Sequence, residues 1–94
     1  MAYKYELATT KSFDKDLKKC KKRGYDISLL DEVVEKLLMG EKLPKKNRDH
    51  ALTGNLKDYR ECHILPDWLL VYEIYEDKLV LLLTALGTHS DLGF

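Results

Sequence analysis

The residues in this 94-residue sequence best suited to chemistry are three histidines in its second half: His50, His63 and His89. Each falls outside the predicted helices, in a loop or near the end of a predicted strand. Imidazole can both take and give a proton because its unperturbed pKa is about 6.5. With Asp67 as a base or as an orienting group, this set would supply the proton transfers of metal-free RNA cleavage if the strands bring the residues together. A base must deprotonate a ribose 2′-hydroxyl, and an acid must protonate the departing 5′-oxygen.

Neighbouring residues would complete such a site. Asp67 lies in the turn between two predicted strands, so it should be close to His63. Glu61 shares the strand face of His63, because side chains alternate along a strand. Phe94 could stack on a base of the RNA. Trp68 could do the same, although burial in the core is the competing interpretation.

Other kinds of site are weakly supported by the sequence. Zinc is the rival interpretation of the three histidines and Asp67, but the histidines lack the short spacing typical of zinc sites. Cys20 and Cys62 fit neither a metal nor a redox spacing, so we expect buried or half-buried free thiols. No motif activates a serine or cysteine nucleophile. We therefore expect no cofactor and no bound metal.

The first half of the chain predicts a strand and two helices. Residues 3–7 alternate with period two and predict a strand. A first helix should begin with Ser12 as its N-cap and end at Gly24. A second should begin with Ser28 as its N-cap and end at Gly40, with an apolar stripe facing the core. Because the connection at 24–27 is short, we expect an antiparallel helical hairpin.

The second half predicts a long connection and three strands. Residues 41–58 are mostly polar and irregular, and loops of this length tend to be functional. Strands are predicted at 59–65, at 68–75 and from 79 to 83 or beyond, with a short polar tail at 87–94. The order predicts one α+β domain over residues 1–94, an antiparallel sheet with the helical hairpin on one face. The other face would be free to form a polar cleft.

The distribution of charge suggests one surface that faces a polyanion. The net charge is zero, yet residues 1–48 carry a balance of +5 and residues 49–94 carry −5. The densest basic run is either a solvated helix end or a phosphate contact, and it contains Lys18, Lys19, Lys21, Lys22 and Arg23. No segment resembles a membrane span or a signal peptide, so we expect the cytoplasm and no membrane partner.

Four blocks of the second half resemble the YafQ branch of the RelE/ParE toxin superfamily. They are DHALTG at 49–54, YRECH at 59–63, PDWLLVY at 66–72 and GTHSDL at 87–92. The resemblance implies a type II toxin that is neutralised by a small cognate antitoxin. It implies cleavage of mRNA in the ribosomal decoding site without a metal. It also allows a heterotetramer or larger complex that reaches operator DNA through the antitoxin.

The resemblance implies a role for each matching residue. His89 would be the general acid, and either His50 or Asp67 would be the base. His63 and Arg60 would position or stabilise the phosphate, and Glu61 would orient its neighbours. Trp68 and Phe94 would complete the substrate-binding residues.

Two departures from the family pattern concern catalytic strength. Ala85 stands four residues before His89, where family members often carry an arginine that would stabilise the transition-state phosphate. Gly93 separates Leu92 from Phe94, so the aromatic ring lies one residue farther from His89. Ala85 leaves open a weakened member that mainly binds its antitoxin. A ParE-like toxin that inhibits a protein target without cleaving RNA is a second alternative, because the same fold supports both functions.

Overall fold

The computed structural model describes residues 3–56 and 58–93 of the chain. Its elements follow in the order β1 (Glu6–Thr9), α1 (Lys11–Lys22), α2 (Ile27–Leu38), β2 (His50–Ala51), β3 (Arg60–Leu65), β4 (Trp68–Tyr75), β5 (Val80–Gly87) and α3 (His89–Leu92). Short 3₁₀ turns at Lys45–Asn47 and Gly54–Leu56 interrupt the connection between α2 and β3. The predicted α+β class is confirmed.

The first two helices begin earlier than predicted. Thr10 caps α1 by accepting a hydrogen bond from the Phe13 amide at 3.0 Å. Asp26 caps α2 by accepting one from the Ser28 amide at 3.0 Å. The predicted caps at Ser12 and Ser28 were wrong because another good capping residue lies two positions upstream of each. The predicted ends are right, since Gly24 and Gly40 follow the helices with φ of +83° and +77°.

The five strands form one sheet in the order β1-β5-β4-β3-β2. The pairs β2–β3, β3–β4 and β4–β5 are antiparallel, the last two as predicted, but β1 runs parallel to β5, so the prediction of a wholly antiparallel sheet was wrong at this edge. A parallel pair needs a long crossover connection, and the two helices supply the start of one. The sheet is therefore mixed at its β1 edge.

Strand prediction succeeded best where the apolar run is longest. The bounds of β4 match the prediction, and β5 extends beyond it to Gly87. Neither the two-residue β2 nor the four-residue α3 was predicted. Elements of two and four residues are too short to show a hydrophobic period.

The main core lies between the helices and one face of the sheet. Trp68, Leu70 and Tyr72 of β4 join it, whereas Leu69 and Val71 alternate onto the opposite face. From the helices it receives Phe13, Cys20, Leu30, Val33, Val34, Leu37 and Leu38. Cys20 and Cys62 are free and buried, as predicted. In the described part of the chain, no helix is long and apolar enough to cross a bilayer.

Candidate active site

The face of the sheet opposite the helices carries a row of polar side chains on β2 and β3. His50 of β2 is directly paired with Glu61 of β3, and Glu61 is paired with Val71 of β4. Directly paired residues share a face of the sheet. His63 lies two residues beyond Glu61 and therefore on the same side. Regular strand geometry thus places His50, Glu61 and His63 together.

Glu61 lies between the two imidazoles. Only 5% of its surface is exposed. Its Oε1 is 3.7 Å from Nε2 of His50 and 3.5 Å from Nε2 of His63. A buried carboxylate is stable only with partners that can donate to it or balance its charge. A protonated His50 or His63 is such a partner, since either ring then forms an ion pair with Glu61.

Backbone carbonyls hold the other nitrogen of each ring. Nδ1 of His50 is 2.6 Å from the Arg48 carbonyl oxygen, and Nδ1 of His63 is 3.3 Å from the Pro66 carbonyl oxygen. A carbonyl oxygen only accepts, so Nδ1 carries the hydrogen in both rings. Each neutral ring therefore keeps its lone pair on Nε2, the nitrogen that faces Glu61.

Asp67 and His89 form a second pair on this face. Oδ1 of Asp67 accepts hydrogen bonds from the His89 amide at 2.9 Å and from its Nδ1 at 2.5 Å. These two bonds, the backbone one first, hold the pKa of Asp67 below its ordinary value. The side chain of His89 is 44% exposed. Because Nδ1 contacts Asp67, Nε2 lies on the opposite side of the ring, and among the described residues no hydrogen bond to it is seen.

The row on β2 and β3 meets the Asp67–His89 pair through the rings of His63 and His89. The His63 and His89 ring centroids are 5.5 Å apart, with the planes at 60°. Contacts therefore run without interruption from His50 through Glu61 and His63 to His89 and Asp67. The structure brings together all four residues predicted to be catalytic, and Glu61 joins His50 to His63 in this series of contacts.

Arg60 lies on the other side of the sheet. It is paired with Tyr72, whose ring belongs to the core between sheet and helices. Its Nη2 is 3.3 Å from Oδ2 of Asp49, and the Tyr72 hydroxyl donates to the same carboxylate. The structure does not bring Arg60 to the histidines. Its predicted contact with the reacting phosphate therefore lacks support from the geometry.

Trp68 is fully buried, so it offers no surface on which RNA could stack. Its ring stacks on Tyr25 with centroids 4.7 Å apart, and Nε1 donates to Sγ of Cys20 at 3.3 Å. The competing interpretation, a core residue beneath the site, agrees with this placement. Phe94, the other predicted stacking residue, lies outside the described residues.

Ala85 belongs to the same face of the sheet as Glu61. It pairs with Val71, which in turn pairs with Glu61. Two strand spacings, about 10 Å in total, separate positions 85 and 61. A cation at position 85 would have projected from the floor of the site, where the chain instead has a methyl group.

Asp91 is a supporting residue that the sequence analysis missed. Its Oδ2 accepts from Nη1 of Arg23 at 2.7 Å and from the Thr88 amide at 3.0 Å, and its Oδ1 lies 3.3 Å from Nη2 of Arg23. Lys19 is a further 3.9 Å neighbour. These contacts attach α3, which begins with His89, to the end of α1. The capping-box spacing of Thr88 and Asp91 was the available signal.

Gly87 is required by the same arrangement. A Cβ atom at this position would lie 2.8 Å from Cβ of Asp91, closer than real Cβ contacts. Substitution of Gly87 would therefore displace Asp91 and the contacts that it makes with Lys19 and Arg23 of the basic run.

Comparison with known proteins identifies the family. The family model for the bacterial toxin of type II toxin-antitoxin system, YafQ, matches residues 5–93. The mRNA interferase toxin YafQ of Escherichia coli K12 is 38% identical over 81 residues, covering 85% of this chain and 86% of the relative.

Solved structures agree with the sequence relatives. A metal-bound toxin from Helicobacter pylori superposes with a TM-score of 0.89 at 49% identity, covering 94% of this chain and 98% of that one. The toxin in the E. coli DinJ-YafQ toxin-antitoxin complex gives 0.87 at 31% identity, covering 95% and 97%. Within residues 3–56 and 58–93, no three His, Cys, Asp or Glu side chains are grouped to hold a metal ion. The chain belongs to the YafQ family of bacterial toxins from type II toxin–antitoxin systems.

Proposed function

We propose that this chain is an endoribonuclease that cleaves mRNA on the ribosome without a metal ion. The observation that carries the proposal is the unbroken chain of contacts from His50 to the His89–Asp67 pair on the open face. The name of the E. coli relative, mRNA interferase toxin, supports the same activity.

His50 is the proposed general base. Its Nδ1 donates to the Arg48 carbonyl, so the neutral ring has its lone pair on Nε2, and half of its side chain is exposed to substrate. Nε2 takes the proton of the ribose 2′-hydroxyl, and the resulting oxygen attacks the adjacent phosphorus. Glu61 then balances the imidazolium that forms. Asp67 is the weaker candidate because its Oδ1 already accepts two hydrogen bonds, which lower its pKa.

His89 is the proposed general acid. Asp67 fixes its ring through Nδ1, and the free Nε2 gives its proton to the departing 5′-oxygen. The P–O5′ bond breaks as the P–O2′ bond forms, which leaves a 2′,3′-cyclic phosphate and a new 5′-hydroxyl end. The two histidines end with exchanged protonation states. A second turnover therefore requires proton exchange with water.

His63 is the proposed positioning and charge-stabilising residue. Its side chain is only 11% exposed and lies between Glu61 and the ring of His89. A protonated His63 would place positive charge beside the phosphorane, where Ala85 supplies none.

The proposed setting is the cytoplasm, where ribosomes and mRNA are found. A cognate antitoxin would neutralise the chain, as the solved complex between the E. coli toxin and DinJ suggests. A larger assembly of toxin, antitoxin and operator DNA is part of the same proposal.

The test uses purified protein with mRNA-programmed ribosomes. We expect new mRNA ends bearing a 2′,3′-cyclic phosphate, and a rate unchanged by a chelator selective for transition metals. Asp67→Asn should lower the rate at least tenfold, because general acid catalysis contributes about 10²–10⁴. Asp77→Asn is the matched control, since Asp77 is exposed in the turn between β4 and β5.

Two results would reject the proposal. Growth arrest on expression, without any new mRNA ends, would favour inhibition of a protein target. A rate abolished by the chelator would show that the reaction depends on a metal.

A further inference from the structure

A second charged feature lies at the edge of the sheet, next to β2. A cleft of about 390 Å³ is formed by the connection between α2 and β2 together with β3. Four of its lining residues are cations: Lys42, Lys45, Arg48 and Arg60. The single acidic lining residue is Asp49. The proposed mechanism uses none of these side chains.

The positive charge of this cleft is largely uncompensated. Asp49 is already occupied, because its carboxylate receives both the Arg60 guanidinium and the Tyr72 hydroxyl. Among the residues that the structure describes, Lys42, Lys45 and Arg48 form no ion pair with a carboxylate. All three are exposed. An anion in the cleft would therefore meet three cations without displacing an existing partner.

Arg48 connects the cleft to the active site. Its backbone is left-handed, with φ of 45° and ψ of 43°, a conformation that is strained for a residue with a side chain. Its amide donates to the Lys45 carbonyl at 3.0 Å, and its own carbonyl contacts Nδ1 of His50 at 2.6 Å. Strain of this kind persists where surrounding contacts impose it and often marks a functional position. One residue thus lines the cleft and orients the proposed base.

The charges of the active site explain why such a cleft would be needed. Glu61 and Asp67 place two carboxylates on the open face, and Ala85 contributes no charge to it. RNA carries a negative charge at every phosphate, and binding is driven largely by cations that neutralise these charges. Cations beside the histidine row would supply this attraction.

We propose that the cleft lined by Lys42, Lys45, Arg48 and Arg60 binds the phosphodiester backbone of the mRNA next to the cleaved bond. The RNA then passes from this cleft over His50 towards His89. The assignment rests on the proposed ribonuclease function and adds the path of the substrate to it. It gives Arg60 a phosphate contact on the far side of β3 from the histidines.

The test reverses two charges in the cleft and two elsewhere. Lys42→Glu with Lys45→Glu changes the cleft, and Lys18→Glu with Lys22→Glu makes the same change in net charge on α1. The half-saturating toxin concentration and the maximal rate are measured on programmed ribosomes at about 50 and about 200 mM salt. Binding to ribosomes without mRNA is measured in parallel. Thermal melting of each variant verifies folding.

The expected result is a loss of affinity with an unchanged maximal rate. Each phosphate contact on a single strand contributes a slope of about −0.7 in log affinity against log salt. Losing two contacts should therefore cost about sevenfold more affinity at the low salt than at the high salt. Ribosomes without mRNA should bind the cleft variant and the wild type alike.

Three outcomes would overturn the proposal. One is an unchanged half-saturating concentration for the cleft variant. Another is an equal loss for the α1 variant, which would indicate net charge alone. The third is an equal loss on ribosomes without mRNA, which would assign the cleft to ribosomal RNA. If the wild type does not cleave at all, the proposed function fails first, and that result is distinct from these three.

Discussion

The ion pair between Asp91 and Arg23 should control both the stability of the chain and the position of His89. Asp91→Asn removes the charge but keeps an oxygen that can accept from the Thr88 amide, whereas Asp91→Ala removes both. Arg23→Met breaks the ion pair from the other side. A helix of four residues cannot stand alone, so its attachment to α1 matters.

The structure sets the size of the effect. The side chain of Arg23 is 38% exposed and that of Asp91 is 21% exposed, so the ion pair takes a surface value of about 0.5–1 kcal/mol. Losing the cap acceptor adds about 1 kcal/mol. Since 1 kcal/mol shifts Tm by about 4–8 °C in a domain of this size, Asp91→Asn should lower Tm by about 2–8 °C. Asp91→Ala should lower it by about 6–16 °C.

The effect should depend on pH in a defined direction. The Arg23 guanidinium, followed by the Thr88 amide, holds the pKa of Asp91 below its ordinary value. A lowered pKa stabilises the folded state above the unfolded-state pKa of about 3.9 and ceases to do so as the pH falls through the folded-state pKa. The difference in Tm between wild type and Asp91→Asn should thus be constant above about pH 5 and shrink in more acidic solution.

Activity should respond as well, since α3 begins with His89. A misplacement of about 1 Å can cost about 10²-fold in rate, so Asp91→Ala should lower kcat by about 10–100-fold with little change in KM. Melting curves and single-turnover cleavage on programmed ribosomes measure the two effects. Arg23→Met made in the Asp91→Asn background should add little, because both changes remove one interaction. Full stability and full kcat in Asp91→Ala would refute the role of this contact.

Three further substitutions test the proposed acid His89, the lack of a cation at Ala85 and the buried Trp68 beneath the site. His89→Ala should reduce cleavage by about 10²–10⁴-fold and relieve growth arrest with no loss of folding by circular dichroism; a variant that remained fully toxic would disprove the acid role. Ala85→Arg should raise the cleavage rate tenfold or more, because one well-placed donor to a transition state contributes about 3–4 kcal/mol. Ala85→Gln supplies a polar control without the charge, and equal rates for Ala85→Arg and wild type would mean that no cation is missing. Trp68→Ala should lower the free energy of unfolding by about 3–5 kcal/mol in urea titrations, and a loss below about 1 kcal/mol would contradict its place in the core.

Much of the fold could be predicted from local patterns. The bounds of β4 followed from a long apolar run preceded by Pro66 and Asp67, and Gly24 and Gly40 gave the ends of the helices. The parallel pairing of β1 with β5 could not be predicted, because it depends on the path of the chain through two helices. The contact between Arg23 and Asp91 joins residues 68 apart in sequence, and no local pattern reports it.

The sequence indicated which residues would lie together at the candidate site, but it indicated little of how they are arranged. Alternation along β3 already separates Glu61 and His63 from Arg60, so the position of Arg60 on the opposite face was available from parity alone. The same parity places Trp68 and Leu69 on opposite faces of β4. It does not indicate which of the two faces is buried against the helices. The placement of Glu61 between His50 and His63 depends on the register between β2 and β3, which the sequence does not specify.

The proposed proton-transfer groups lie on the smallest elements of the fold. His50 belongs to a strand of two residues, His89 to a helix of four, and Asp67 to a turn, while the core is built on the other face of the sheet. The proposed catalytic residues and the residues that stabilise the fold are therefore largely different residues. A single substitution of a proposed catalytic residue can therefore abolish toxicity while the chain still folds. An inactive but folded chain would still bind antitoxin. It would thereby lower the amount of antitoxin that is left to neutralise an active toxin in the same cell.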